Sequence, residues 1–213
     1  MKLFFNALTK YIMGFLLVGA LLFLPAWTLR YPGAWLFVAL LFLPMLLLGI
    51  VLFAKAPSLL EKRLNHKERE RTQRGVIALS GLMFPIGFVV SSLDFRFGWS
   101  SVPLWLVIVA SVLFLIGYGM YAEVMRENAY LSRTIEVQEN QTVISTGLYG
   151  VVRHPMYAVT LLLFLSMPVV LGSPLALVIM LGYLPLIARR ILNEERVLRE
   201  GLPGYKEYMA RVR

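Results

Sequence analysis

Six runs of apolar residues constrain this chain more than anything else in it: residues 11–29, 34–53, 76–92, 103–121, 155–171 and 174–188. A helix rises about 1.5 Å per residue, so roughly 20 residues cross the ~30 Å hydrocarbon layer of a bilayer. The first four runs are long enough to cross as helices, and the last two are marginal. The expected fold is therefore all-α, a polytopic integral membrane helical bundle of about six spans. Gly172, Ser173 and Pro174 separate the last two runs, and a breaker followed by a helix-starting proline makes them a tight helical hairpin, spanning or re-entrant.

Composition narrows the function classes. Hydrophobic residues make up 59% of the chain and charged residues 15%, against about 45–50% and ~25% in soluble domains. A formal charge of +9 would point a soluble protein toward nucleic acid, but the apolar runs turn that reading toward the membrane. With no cysteine there is no disulfide framework, thiolate metal site or cysteine nucleophile. His66 and His154 are too few for a histidine-rich metal centre.

Lys and Arg mark orientation, because cytoplasmic loops are enriched in them. Lys2 and Lys10 precede the first run, seven basic residues lie between the second and third, and seven follow the sixth. Arg126, Arg133 and Arg153 lie between the fourth and fifth, so 19 of 21 fall on one side and only Arg30 and Arg96 on the other. Both termini are expected in the cytosol. The opening Lys-containing stretch is read as the first span and not as a signal peptide, since the run is long and no small-x-small site follows it. Residues 55–74 are charge-dense and are expected to form an interfacial helix or a solvated loop at the headgroup surface. Glu61, Glu68 and Glu70 are interspersed there, which argues against a polybasic lipid site.

Polar chemistry gathers after the fourth run. Residues 123–153 form a stretch of 31 residues, long enough to be functional or structured. Alternating polarity from Thr134 to Gln138 suggests short extended pieces, and Gly147 a turn. Pro155 suits the first position of a helix, which puts His154 near the N-cap, and a helix N-terminus beside Arg153 attracts anions. Arg190 and Glu194 are four residues apart on one helical face. They either line a site at the hairpin mouth, or Arg190 snorkels and pairs with Glu194 in an ordinary way. The tail, with Tyr205 and Tyr208, reads as an amphipathic membrane-surface anchor. Carboxylates together with a helix N-terminus and arginine suit a zwitterionic ligand, and no phosphate-binding glycine loop, Ser/His/Asp order or metal spacing competes.

The ordered set Val137, Gln138, Thr146, Gly147, Leu148, Tyr149, then Val152-Arg153-His154-Pro155-Met156-Tyr157, the hairpin, Arg190, Glu194-Glu195-x-x-Leu198 and Gly204-Tyr205-x-x-Tyr208-x-x-x-Val212 resembles the isoprenylcysteine carboxyl methyltransferases. The membrane phospholipid N-methyltransferases share parts of it. The resemblance runs from Arg126 to the C-terminus, about the last two-fifths of the chain. It implies an integral membrane methyltransferase that uses S-adenosylmethionine in a cytosolic pocket and a lipophilic acceptor entering from the bilayer, either an isoprenylcysteine-type carboxylate or a lipid head group. It also implies two regions, residues 1–122 with four helices and a basic loop at 54–75, and residues 123–213 with the chemistry. Cofactor contacts would fall to Gln138, Gln141, Thr142, Val143, Ile144, Tyr149, His154, Pro155, Met156, Tyr157 and Glu194. Arg190 would stand at the substrate end, with Glu195 as a base for an amine acceptor. Gln141 replaces a histidine of some relatives, and the register of Glu194 against Glu195 stays open by one. The alternatives are a membrane reductase of the sterol-reductase type using a dinucleotide, which needs a larger bundle, and a non-enzymatic lipid-binding membrane protein.

Overall fold

The computed structural model describes residues 2–64, 71–128, 130 and 137–212. In chain order the helices are α1 Lys2–Ala26, α2 Pro32–Lys55, α3 Pro57–Leu64, α4 Arg71–Phe97 and α5 Leu104–Glu127. A 3₁₀ turn, Gly147–Gly150, precedes α6 Pro155–Val170, α7 Pro174–Leu181, α8 Tyr183–Gly201 and α9 Tyr205–Arg211. No strand occurs among the described residues.

Five segments are long and apolar enough to cross a membrane: Lys2–Ala26, Pro32–Lys55, Leu79–Phe97, Leu104–Glu127 and Pro174–Gly201. The chain is a multi-pass membrane protein. The sixth apolar helix, Pro155–Val170, is shorter at 16 residues. The expectation that the last run is marginal needs correction, since α7, Gly182 and α8 together cover 28 residues, the helix continuing past residue 188. Their local break has a covalent cause: Pro185 has no N–H for the carbonyl of Leu181, the residue at which α7 ends.

Within residues 55–74, Pro57–Leu64 form α3 and α4 begins at Arg71. Leu59 and Leu60 of α3 are buried, and Lys10 Nζ donates to the Leu64 carbonyl at 2.6 Å, a cation on the last carbonyls of a short helix. His66, Glu68 and Glu70 lie outside the described residues, as do Arg133 and residues 134–136 of the expected extended pieces.

The core joins α1, α2, α4, α5, α6 and α7 through Leu22, Phe37, Phe42, Phe88, Phe114, Met167 and Met180. Helices α5 and α6 pack closest, and Gly117 allows it, because a Cβ there would meet Leu163 Cδ2 at 2.8 Å. Apolar side chains such as Leu16, Leu47 and Leu104 face outward, as a lipid solvent permits.

A buried polar knot ties the hairpin tip to α4. Asp94 is 1% exposed and accepts from the Ser100 N–H at 2.7 Å, the Ser100 hydroxyl at 2.6 Å and the Ser173 hydroxyl. Ser173 also caps α7 by accepting from the Ala176 N–H at 3.2 Å. Tyr31 donates to the Leu171 carbonyl at 2.6 Å while its ring stacks on Phe95. Trp27, Trp35, Trp99 and Trp105 are all exposed around this end, the placement of an interfacial aromatic belt. Asp94→Ala strips one buried and two half-buried donors of a charged acceptor, each bond worth about 1.5–3 kcal/mol and not additive. The expected net loss of about 3 kcal/mol lowers Tm by roughly 6–12 °C in a chain of this size. Thermal unfolding of the detergent-solubilised protein reads this, and an unchanged Tm would dismiss the knot as a stabilising element.

Candidate active site at the hairpin mouth

The opposite end of α6 carries the chemistry. His154 occupies the N-cap with φ −126°, and buried Pro155 follows at the first helical position, as the sequence predicts. The His154 side chain makes no cap bond and turns instead to α8, where its Nε2 lies 3.2 Å from Glu195 Oε1. Arg153 Nη1 reaches the same oxygen at 2.9 Å. One carboxylate on α8 thus gathers both polar residues before α6.

Three residues into α6 the Tyr157 hydroxyl donates to Glu194 Oε2 and accepts from Arg190 Nε at 3.1 Å. Arg190 and Glu194 do share a face of α8. What their spacing does not reveal is the phenol of another helix set between them, so the pair is joined to α6 and not merely to itself.

The preceding segment is locked from both sides. Gly147 has φ +52°, and a Cβ there would meet Glu127 Cδ at 2.9 Å, so the expected turn requires glycine. Tyr149, in the 3₁₀ turn, is buried against Val124 and Val159, accepts at its hydroxyl from Asn128 Nδ2 at 3.0 Å, and accepts at its carbonyl from the Tyr208 hydroxyl at 2.7 Å. Burial pushes the Tyr149 phenol up to about 12, the Asn128 bond opposes that, and the Glu194 carboxylate adds to the rise. Ile144 and Met156 pack on this Tyr149 cluster, and Val143 packs on Leu202, Tyr205 and Tyr208. Thr142 is exposed. The Gln138 N–H donates to Gln141 Oε1 at 2.8 Å, and the Gln141 N–H to the Gln138 carbonyl at 3.1 Å. Gln138 Nε2 donates to the Tyr130 carbonyl. These glutamines hold a tight turn at Asn140, whose positive φ of 56° asparagine tolerates.

His154, Tyr157, Arg190, Glu194 and Glu195 therefore come together with Arg153. Tyr149, Ile144 and Met156 form an adjoining apolar and phenolic wall, and Val143 braces α9. Gln138, Gln141 and Thr142 stand on the loop turn.

Two residues were not anticipated. The tail packs against the loop and α8: α9 buries Tyr205 and Tyr208, which are 4% and 2% exposed, with Val137, Val143 and Leu198. Among the described residues the buried side-chain polar atoms without a partner are Arg63 Nε, Ser91 Oγ, Arg153 Nε, Asn193 Nδ2 and the Tyr205 hydroxyl. Arg153 and Tyr205 belong to this site, since Arg153 binds Glu195 and the charges of Glu195 and Glu194 act on Tyr205, while Asn193 lies on the same helix as the two glutamates. For Tyr205, burial raises its phenol and the Glu195 and Glu194 charges raise it further. Buried groups of this kind cost about 1–3 kcal/mol each when unmatched, and native proteins tolerate few. The signal in the sequence was the three-residue spacing of Tyr205 and Tyr208 with Leu202, a one-sided apolar pattern on a short helix.

Two carboxylates, a guanidinium, an imidazole and unmatched donors on Asn193 and Tyr205 make a donor and acceptor set for a ligand bearing both a cation and an anion. Among the described residues no group of three His, Cys, Asp or Glu side chains is placed to hold a metal ion. Residues 105–203 match the family model described as phospholipid methyltransferase. The matched stretch contains every site residue expected from the sequence, while Tyr205 and the first four helices lie outside it. No curated protein matches the chain, and no solved structure matches it.

Proposed function

We propose, starting from a multi-pass membrane chain whose residues 105–203 carry a phospholipid methyltransferase domain, that the protein methylates a lipophilic acceptor from S-adenosylmethionine at the α6–α8 mouth. The observation that carries this reading is the convergence of Arg153, His154 and Tyr157 with Arg190, Glu194 and Glu195.

The residues fit such a methyl donor. Glu194, with Asn193 and Tyr205 beside it, suits an ammonium or ribose hydroxyls, and Arg153 with the α6 N-terminus suits a carboxylate. Tyr149, Met156, Val143 and Ile144 would supply the apolar side of its seat, with Gln138, Gln141 and Thr142 at the rim, and His154, Pro155 and Tyr157 at the helix start. When bound, S-adenosylmethionine supplies a methyl group on a sulfonium whose positive charge vanishes on transfer. The chain's own contribution is then positioning and exclusion of water more than strong acid or base chemistry. If the acceptor is a carboxylate, Arg190 orients it through its planar fork. For an amine acceptor, the Glu195 carboxylate, hydrogen-bonded to His154, takes the proton. The distribution of Lys and Arg supports a cytosolic location for this end of the bundle and for both termini.

Incubating the purified protein with methyl-labelled S-adenosylmethionine and a total membrane lipid extract should place label in one lipid fraction, and the product's structure decides between O- and N-methylation. Protein that neither binds S-adenosylmethionine nor labels any lipid would overturn the proposal.

A further inference from the structure

Arg63, on α3, lies outside the matched domain and outside every contact described so far. Its Nη2 donates to the Tyr121 hydroxyl, and its guanidinium carbon sits 5.4 Å from the centre of the Tyr121 ring. Its Nε is buried without an acceptor. Among the described residues no carboxylate reaches it as an ion pair: the acids of the last α5 turns are engaged by Arg126, at 2.8 Å from Glu123 and 2.5 Å from Glu127. A guanidinium held partly out of water is costly unless an anion completes it.

Helix α3 is fixed in place. Leu59 and Leu60 are buried, and Lys10 ties down its C-terminal carbonyl. Tyr121 packs on the cluster of Val124, Tyr149 and Val159 that also holds Ile144 and Met156. The Tyr149 phenol, raised chiefly by burial, is lowered slightly by the charge of Arg63. Arg63 thus stands, through Tyr121, behind the Tyr149 wall.

We propose that Arg63 binds the oxyanion of the lipid acceptor, a phosphate or a carboxylate, and so sets which acceptors the site admits. This deepens the methyltransferase reading and rests on it for the word acceptor. Arginine suits the task because its fork matches either oxyanion in a bidentate manner and its charge persists at every relevant pH. Tyr121 pre-orients that fork.

The test uses detergent-solubilised full-length protein and three short lipids: dioctanoyl phosphatidylethanolamine, which carries a phosphate, N-acetyl-S-farnesylcysteine, which carries a carboxylate, and uncharged dioctanoylglycerol. Equilibrium binding should show at least one anionic probe bound by the parent protein, weakened ~10-fold or more in Arg63→Gln and less in Arg63→Lys. Dioctanoylglycerol should bind both proteins alike, and S-adenosylmethionine affinity should be the same in parent and variants. Which probe responds identifies the oxyanion. Equal probe binding by parent and Arg63→Gln, no binding of either anionic probe by the parent, or parallel loss of S-adenosylmethionine binding in both variants would each overturn the assignment. Failure of the parent to bind S-adenosylmethionine would instead sink the methyltransferase reading and leave an Arg63-dependent anion site standing.

Discussion

Replacing Glu194 with Gln should weaken S-adenosylmethionine binding by at least ~10-fold, because a hydrogen bond to a charged group contributes about 1.5–3 kcal/mol. Gln is preferred to Ala for the substitution. It keeps an acceptor for the Tyr157 hydroxyl and preserves shape, so the loss reports the missing charge and not a disrupted α6–α8 contact. A neighbouring donor adds to the effect: the Tyr205 hydroxyl is buried without a partner within reach of the charges of Glu195 and Glu194. Calorimetric titration reads the affinity, and thermal unfolding should show the variant folded. Unaltered affinity would remove Glu194 from the site. Should Glu195→Gln give the larger loss instead, the register shifts by one and the Arg153 and His154 contacts become the cofactor clamp.

Arg190→Ala should separate binding from transfer. Methyl transfer should fall roughly 100-fold, the order seen when a preorganised charge-stabilising donor is deleted, while S-adenosylmethionine affinity changes by less than about threefold. Arg190 Nε donates to the Tyr157 hydroxyl, so part of the damage travels through Tyr157. Tyr157→Phe therefore serves as the control: it removes that acceptor but leaves the guanidinium, and should cost less transfer than Arg190→Ala. Arg190→Lys should not restore the rate, since an ammonium lacks the planar fork. Equal losses in binding and transfer for Arg190→Ala would move Arg190 out of the acceptor role.

The membrane character of the fold is readable directly, because length and apolarity of a run are local properties. The break between α7 and α8 at Gly182 is not. The stretch after residue 188 reads as a helix continuing out of the membrane, and α8 does carry its helix onward to Gly201. The α6 start is equally legible, because Pro155 and His154 announce it by chemistry alone. The site is legible only as far as spacing reaches. Arg190 and Glu194 declare a shared face, but the Tyr157 phenol between them comes from 33 and 37 residues away. Tyr205 and Tyr208 look interfacial because a tyrosine pair on a short basic helix usually is. Only the packing of Leu202, Val137 and Val143 against them shows that they are buried. Asp94 is the extreme case, since its partner Ser173 is 79 residues distant and nothing in the run 76–92 hints at it.

On the proposed function, S-adenosylmethionine sits where α6 begins and α8 ends its apolar course. Ultraviolet cross-linking of methyl-labelled S-adenosylmethionine to the purified protein, followed by peptide mapping, tests it most directly. Label should fall on peptides covering residues 137–157 and 190–208, and unlabelled S-adenosylmethionine should compete for it while a reduced nicotinamide dinucleotide does not. Label confined to α1–α3, or displaced by the dinucleotide, would contradict it.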